Sequence, residues 1–348
     1  MEITRRRFLQ GSTAAVAASL AADSGLLGAE AHDAPLPLLG GPARGQTRKG
    51  DVIYRPLGRT GEKVSLVGVG GAHLAGPSEE EAVRIVRTAL DRGVNFLDNC
   101  WDYGNGKCEE RMGKALRDGY RAKAFLMTKI DGRDRATAAR QIDESLARLG
   151  TDHLDLLQHH EILRTSDADR VFAPGGAMEA VVAAQKAGKV RFIGFTGHKD
   201  PAMHLHMFAV ADKHGFHFDT VQMPLNVMDA HFRSFAREVV PAATRRGVAV
   251  LAMKSLACGD LLASNTVAPV DCLHYAMSLP VATVITGMDK FQYLDQACEA
   301  MRTYQPLDQK QVAALLDRTR VAAAEGRYER YKISDRYDGT VKHPEWMG

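Results

Sequence analysis

Metal-binding and disulfide signatures are missing from this chain of 348 residues. Its five cysteines are Cys100, Cys108, Cys258, Cys272 and Cys298, an odd number with no Cys-x-x-Cys spacing. That excludes a disulfide framework and a zinc knuckle. An excess of one charge is also missing. The net charge is only +3, and no basic cluster is interleaved with aromatics, so a nucleic-acid-binding face is excluded. No complete Gly-x-Gly-x-x-Gly run follows a strand, because Gly68-x-Gly70 reaches His73 where a third glycine would stand. No internal repeat shows in the residues themselves. What remains is 45% hydrophobic and 25% charged, the balance of a globular protein, and long enough for one large barrel or two ordinary domains.

The N-terminus differs from the rest. Arg5-Arg6-Arg7-Phe8-Leu9 precedes a short Ala-rich run from Gly11 to Ala22, and Ala29-Glu30-Ala31 offers a small-x-small cleavage site. The run is too short and too mild to span a membrane. Paired arginines before Phe-Leu resemble a twin-arginine (Tat) export signal over residues 1–31. That resemblance implies the Tat machinery as a partner, a periplasmic location, and no stable membrane span after cleavage. Residues 32–50, rich in Gly, Pro and Ala, read as a flexible linker, leaving 51–348 as the folded unit.

From there the chain alternates. Strand patterns are read at Val64–Val69, Val94–Asp98, Ala124–Lys129, His153–His160, Val190–Thr196, Phe218–Met223, Val248–Lys254 and Val281–Gly287. Amphipathic helical runs separate them, the first opened by a capping box of Ser78 and Glu81. Eight strands each followed by a helix give the rhythm of an α/β fold of the (β/α)8 TIM-barrel type. A hairpin around Gly58-Arg59-Thr60-Gly61 precedes it. A helix at Val312–Val321 and a polar tail follow it, and that tail would pack over an edge or reach a mouth.

Three consecutive strands end in titratable groups. The strand through Phe96-Leu97 delivers Asp98, with Tyr103 in the loop after it. The next ends in Lys129, and the third in His159 and His160. In such barrels catalytic groups sit at the C-terminal ends of strands. A tyrosine is a reluctant acid near pH 7, and a neighbouring ammonium is expected to lower its pKa. An aspartate would hold that ammonium, and a histidine could orient a carbonyl oxygen. The set suits protonation of a carbonyl while hydride arrives from a nicotinamide, since no side chain supplies hydride. Cys100 and Cys108 read as packed thiols with no histidine spaced for them. His204 and His206 fall in a helical run and read as surface residues.

These residues resemble the aldo-keto reductase family. Asp98-x-x-x-x-Tyr103-Gly104, Thr128-Lys129 and Leu157-Gln158-His159-His160 match its catalytic tetrad by type, order and strand position. Leu57-Gly58-x-Thr60-Gly61-x-x-Val64-Ser65 resembles its N-terminal hairpin. The resemblance implies an NAD(P)H-dependent oxidoreductase acting on an aldehyde or ketone, with Asp98, Tyr103, Lys129 and His160 catalytic. It implies NADP as cofactor, NAD being possible, held by Thr196, Gln222, Met253, Gly287, Met288, Gln292, Asp295 and Gln296. It gives no metal ligand. The sequence departs from the family at Gly197, at Met253 beneath the nicotinamide, at Gln292 where an arginine holds the 2′-phosphate, and at Gln296. Lys290 is left as the nearest cation, a point charge rather than a bidentate fork. Two other readings stay open: a metal-dependent barrel hydrolase or isomerase using His73, Asp98, His160 and His198, and a non-catalytic exported binding protein.

Overall fold

The computed structural model describes residues 35–348, so the expected export signal lies outside the described residues. Three short strands come first: β1 (Thr47–Lys49), β2 (Val52–Pro56) and β3 (Lys63–Ser65), paired antiparallel in that order. Part of the stretch expected to be linker is thus built into a sheet, and Leu36 and Leu38 pack against the core.

Eight parallel strands then close into a barrel: β4 (Val67–Gly70), β5 (Phe96–Asp98), β6 (Phe125–Ile130), β7 (Leu154–His159), β8 (Val190–Thr196), β9 (Thr220–Pro224), β10 (Ala249–Met253) and β11 (Thr283–Gly287). Each pairs with the next, and β11 returns to β4. The helices are α1 (Glu79–Asp91), α2 (Lys107–Ala115), α3 (Arg135–Leu149), α4 (Thr165–Phe172), α5 (Ala177–Lys186), α6 (Pro201–Lys213), α7 (Phe235–Arg246), α8 (Pro269–Ser278), α9 (Phe291–Thr303) and α10 (Gln309–Thr319), with short α11 (Arg330–Ile333) and α12 (Gly339–Lys342) in the tail. The architecture is a (β/α)8 barrel. No helix of the described residues is long and apolar enough to cross a membrane.

Three details differ from the sequence reading. The single strand expected over Val64–Val69 is two, broken at Leu66. Ser65 Oγ donates to Val67 O at 2.7 Å and accepts from Asn95 N at 3.0 Å, so the chain leaves the antiparallel sheet and enters the barrel there. The Ser78 cap forms with Glu81 N at 3.2 Å, without the reciprocal glutamate contact. Helix α4 arises where no helix was read, from Thr165–Phe172, with Asp167 accepting from the backbone N–H of Leu163 and Arg164.

Strand alternation sorts the side chains into two cores. Phe96, Phe125 and Phe192 stack inside the barrel, at 5.5 and 6.3 Å between successive ring centroids, with Met127, Leu156, Leu251 and Ile285. Leu57 and Val64 plug this inner core from the end that carries β1–β3. The opposite faces of the strands meet the helices through Val69, Leu97, Leu126, Leu157, Val221 and Val284. Each such side chain contributes roughly 1.5–3 kcal/mol by leaving water.

Past α10 the chain turns back over the C-terminal mouth. Lys332 is buried and donates to Asp229 Oδ1 at 2.7 Å and Glu329 Oε2 at 3.0 Å, fixing the tail to the loop after β9. Asp338 accepts from Lys199 at 2.6 Å and pairs with His198 at 3.0 Å, beyond β8. Glu161, just past β7, accepts from Gly339 N at 2.9 Å and Thr340 N at 2.7 Å. Met347 O accepts from Arg133 N at 2.9 Å, beyond β6. Four consecutive βα loops therefore hold the tail.

Candidate active site

The C-terminal mouth encloses a cavity of about 770 Å³, lined from β4 round to β11 and roofed by Arg336, Tyr337, Gly339, Lys342, His343 and Trp346. Asp98 ends β5 and is buried. The loop after it turns tightly: Gly104, Asn105 and Gly106 all have left-handed φ, at 59°, 55° and 87°. Glycine and asparagine tolerate that region. The turn swings Tyr103 over the mouth and starts α2 at Lys107.

Lys129 is fully buried near the end of β6. Its Nζ donates to Asp98 Oδ1 at 2.5 Å, to Asn99 O at 2.7 Å and to Tyr103 Oη at 3.4 Å. Burial pushes the Asp98 carboxyl up despite this ammonium. His160 stands on the other side of the phenol, with ring centroids 5.8 Å apart and planes at 84°. The two neighbouring histidines divide by strand parity. His159 points into the packing with both ring nitrogens unpartnered and burial pushing it down to about 3, whereas His160 lines the cavity. Asp98, Tyr103, Lys129 and His160 thus meet at one point.

One electrostatic expectation is corrected. The phenol of Tyr103 is not drawn down by Lys129. Burial first, then Asp98, Cys100, Asp102 and Glu161, hold it well above its ordinary value. The ammonium is already matched to Asp98, and the loop surrounds the phenol with acids. Tyr103 is therefore a protonated donor here.

Across the cavity the polar groups have no partners. Thr196 Oγ1, Gln222 Oε1 and Ser255 Oγ are buried, unpaired and on the lining. Met253 and Gly287 line it too, and Gln296 lies farther along with Tyr293. A side chain at Gly287 would strike the His73 ring, so glycine keeps this rim open. Three residues expected at the cofactor do not line this cavity. Met288 is fully buried in the outer core. Gln292 is exposed on α9 and off the lining, and Asp295 points away to pair with Arg92 at 2.6 Å. Helical periodicity explains this, since only Tyr293, Gln296 and Ala297 of α9 face the mouth.

Other side chains also depart from the sequence reading. His204 is buried rather than at the surface, its Nε2 3.2 Å from Gln222 O and its pKa pushed down to about 4 by burial. Cys100 does have a histidine: its Sγ lies 3.2 Å from His160 Nδ1, although burial and then Asp102 and Asp131 raise the thiol well above its ordinary value. The four residues of the metal-site alternative do not gather, because Asp98 is taken by Lys129 and His198 by Asp338. Among the described residues the group that comes together is Cys100, Asp102, Asp131 and His160. Sequence reasoning missed Asp102, Asp131, Glu161 and the tail residues of the roof. Asp131 alone carried a signal, standing two residues past Lys129 and so on the same strand face.

A match to the aldo/keto reductase family model runs over residues 66–271, more than half the chain. The chain belongs to the aldo/keto reductase family. It is 29% identical over 256 residues to an aldo-keto reductase of Alternaria alternata, covering 60% of this chain and 66% of that protein. It is 30% identical to the aldo-keto reductase YhdN of Bacillus subtilis, covering 61% of this chain and 65% of that one. The chain thus spans just under two thirds of the length of these relatives. An L-galactose dehydrogenase of Arabidopsis thaliana is 38% identical over 161 residues, 42% of this chain and 49% of that protein. Among solved structures, the aldo-keto reductase AKR11C1 of Bacillus halodurans superposes with a TM-score of 0.66 at 23% identity, covering 79% of this chain and 99% of that one, which supports the fold.

Proposed function

We propose that this aldo/keto reductase reduces an aldehyde or ketone, and oxidises the corresponding alcohol in reverse, with Tyr103 as the general acid/base. The observation that carries the reading is the division of one cavity. A proton donor with its ion pair lies on one wall, and unpaired buried amide and hydroxyl groups lie on the other. Buried polar groups left unpaired cost about 1–3 kcal/mol each, so a ligand that satisfies them is favoured. A nicotinamide carboxamide has the right donors and acceptors for Gln222 Oε1 and Thr196 Oγ1, and Met253 offers an apolar surface beneath the ring. Held by Thr196, Gln222 and Met253, such a cofactor would supply the hydride that no side chain can. Tyr103 Oη–H gives its proton to the carbonyl oxygen. Lys129, held by Asp98, keeps its ammonium 3.4 Å from the phenol oxygen, and His160 steadies the carbonyl oxygen. Its raised pKa keeps Tyr103 protonated, the form that reduction requires.

NADP is the proposed cofactor and NAD a second: Gln292 stands where the family's 2′-phosphate arginine falls, Lys290 is the nearest cation along the chain, and Asp289 lines the cavity. Substrate choice falls to the tail, whose His343 and Trp346 stack at 4.2 Å over the mouth. Aldehydes, ketones and sugar-like carbonyls all remain within the class, the last in keeping with the galactose dehydrogenase named above. Residues 1–31 are proposed to direct Tat export to the periplasm with the cofactor loaded beforehand; finding the mature protein in the cytosol after fractionation would remove that part. The function is tested by fluorescence titration of residues 32–348 with NADPH and NADH. Saturable binding at micromolar concentration is expected, tighter for NADPH. Folded, nucleotide-free protein that binds neither refutes the reading.

A further inference from the structure

Behind the His160 ring lies a carboxylate that the chemistry above does not use. Asp131 is fully buried, and its Oδ1 is 2.9 Å from His160 Nδ1. The backbone N–H groups of Asp131 and Gly132 donate to Gln141 Oε1 at 2.9 and 2.7 Å, which pins the loop carrying this carboxylate. Arg133 donates from Nη1 to Asp131 O at 2.8 Å and from Nη2 to His160 O at 2.7 Å. One guanidinium therefore clamps both backbones, and the pair cannot drift apart without breaking it. The other ring nitrogen, Nε2, has no hydrogen bond within the described residues and is not among the buried unpartnered atoms, and His160 lines the cavity beside Tyr103.

We propose that Asp131 is a positioning residue for His160: its carboxylate accepts a hydrogen bond from Nδ1–H, fixes the ring, and leaves Nε2–H as the donor to the substrate's carbonyl oxygen. The role given to Nε2 rests on the reductase reading; the Asp131–His160 pairing does not. A carboxylate behind an imidazole sets which nitrogen is protonated and stabilises the imidazolium. Nε2 is a donor only in that charged form, because a neutral ring bonded to Asp131 keeps its proton on Nδ1.

The groups that face the ring come from several elements. Asp102, Cys100 and Tyr103 lie on the loop after β5, and Asp131, Lys129 and Arg133 on β6 and its loop. Glu161 adjoins the ring along the chain, and Lys342 and His343 reach the same cavity from the tail. Burial alone would lower the His160 pKa. Asp131, then Asp102 and Glu161, more than reverse this, and the net direction is up. Asp102 is farther from Nδ1, at 3.7 Å, and burial followed by Asp131 pushes it up to about 6. The hydrogen bond goes to Asp131.

Asp131→Asn keeps the shape and removes the charge. In protein without cofactor, NMR titration of the His160 ring should show the midpoint fall by about one pH unit or more. Turnover should fall about tenfold or more, with the alkaline limb of its pH profile moved to lower pH and NADPH affinity held within about threefold. Wild-type protein gives a reading that needs no variant. Nitrogen NMR above the midpoint should find the remaining proton on Nδ1; a ring protonated on Nε2 there overturns the proposal. An unmoved midpoint and pH profile in Asp131→Asn overturn it as well. So does one tightly held divalent metal ion per chain that the variant loses, because Cys100, Asp102, Asp131 and His160 offer ligand atoms within 4.8 Å of one another. The NMR readings need no nucleotide, so they decide the pairing even where the reductase reading fails.

Discussion

At the N-terminal end of the barrel, Arg55 is buried with no carboxylate partner among the described residues, yet its guanidinium is almost fully paired. It donates to Met277 O at 2.9 Å, Val281 O at 3.0 Å and Gln46 Oε1 at 2.9 Å, and reaches Tyr304 Oη at 3.4 Å. At the C-terminal mouth, Thr196, Gln222 and Ser255 keep buried polar atoms with no partner among the described residues. The same chain satisfies a charge at one end and leaves neutral groups unsatisfied at the other. The first arrangement closes the barrel and joins β2 to the end of α8. The second costs stability and has a use only when something enters the cavity. Unpaired polar groups that line a cavity are groups that a ligand or water entering it can pair.

Three substitutions test that contrast. Tyr103→Phe at the mouth removes the proton donor and should lower steady-state turnover by about 10²–10⁴-fold, leaving thermal stability and NADPH affinity nearly unchanged. A Tyr103→Phe protein with full turnover would take the phenol out of the chemistry. At the closed end, Arg55→Met removes the buried donors to Met277 O, Val281 O and Gln46 Oε1. Urea unfolding should show a loss of about 3 kcal/mol or more, while the turnover of the protein that stays folded is unaffected. Loss of turnover with intact stability would mean that the two ends are coupled. The smallest effect belongs to Gln222→Leu. Nicotinamide nucleotide binding should weaken about three- to tenfold, and stability should hold or rise slightly because an unpaired buried amide has gone. A large drop in melting temperature would show that Gln222 serves the fold and not a ligand.

Much of the barrel was legible in the sequence because its determinants are local. Apolar runs such as Phe125–Met127 and Val248–Leu251 have strand length and lie between amphipathic stretches with the helical period. The errors have local causes too. Val64–Val69 is continuous in apolar character, and only the hydrogen bonds of Ser65 break it in two. Helix α4 is short and polar, and Asp167 stabilises it through backbone contacts that no periodicity reports. In the site, the positions of Asp98, Tyr103, Lys129 and His160 followed from where the strands end. The acidity of Tyr103 did not, since it depends on burial and on acids gathered from other loops.

The sequence by itself determined which side chains stand at the strand ends and that a barrel of eight βα units was to be expected. These follow from periods of 2 and 3.6 residues along a single stretch of chain. The tertiary structure alone decided that Asp131 sits behind His160, that Asp295 and Gln292 turn away from the cavity, and that the tail is tied down by Glu161, His198, Lys199 and Lys332 across the mouth. Those contacts join residues separated by up to 203 positions. No local pattern encodes such a pairing, because it arises only when barrel closure brings the separate βα loops to one face.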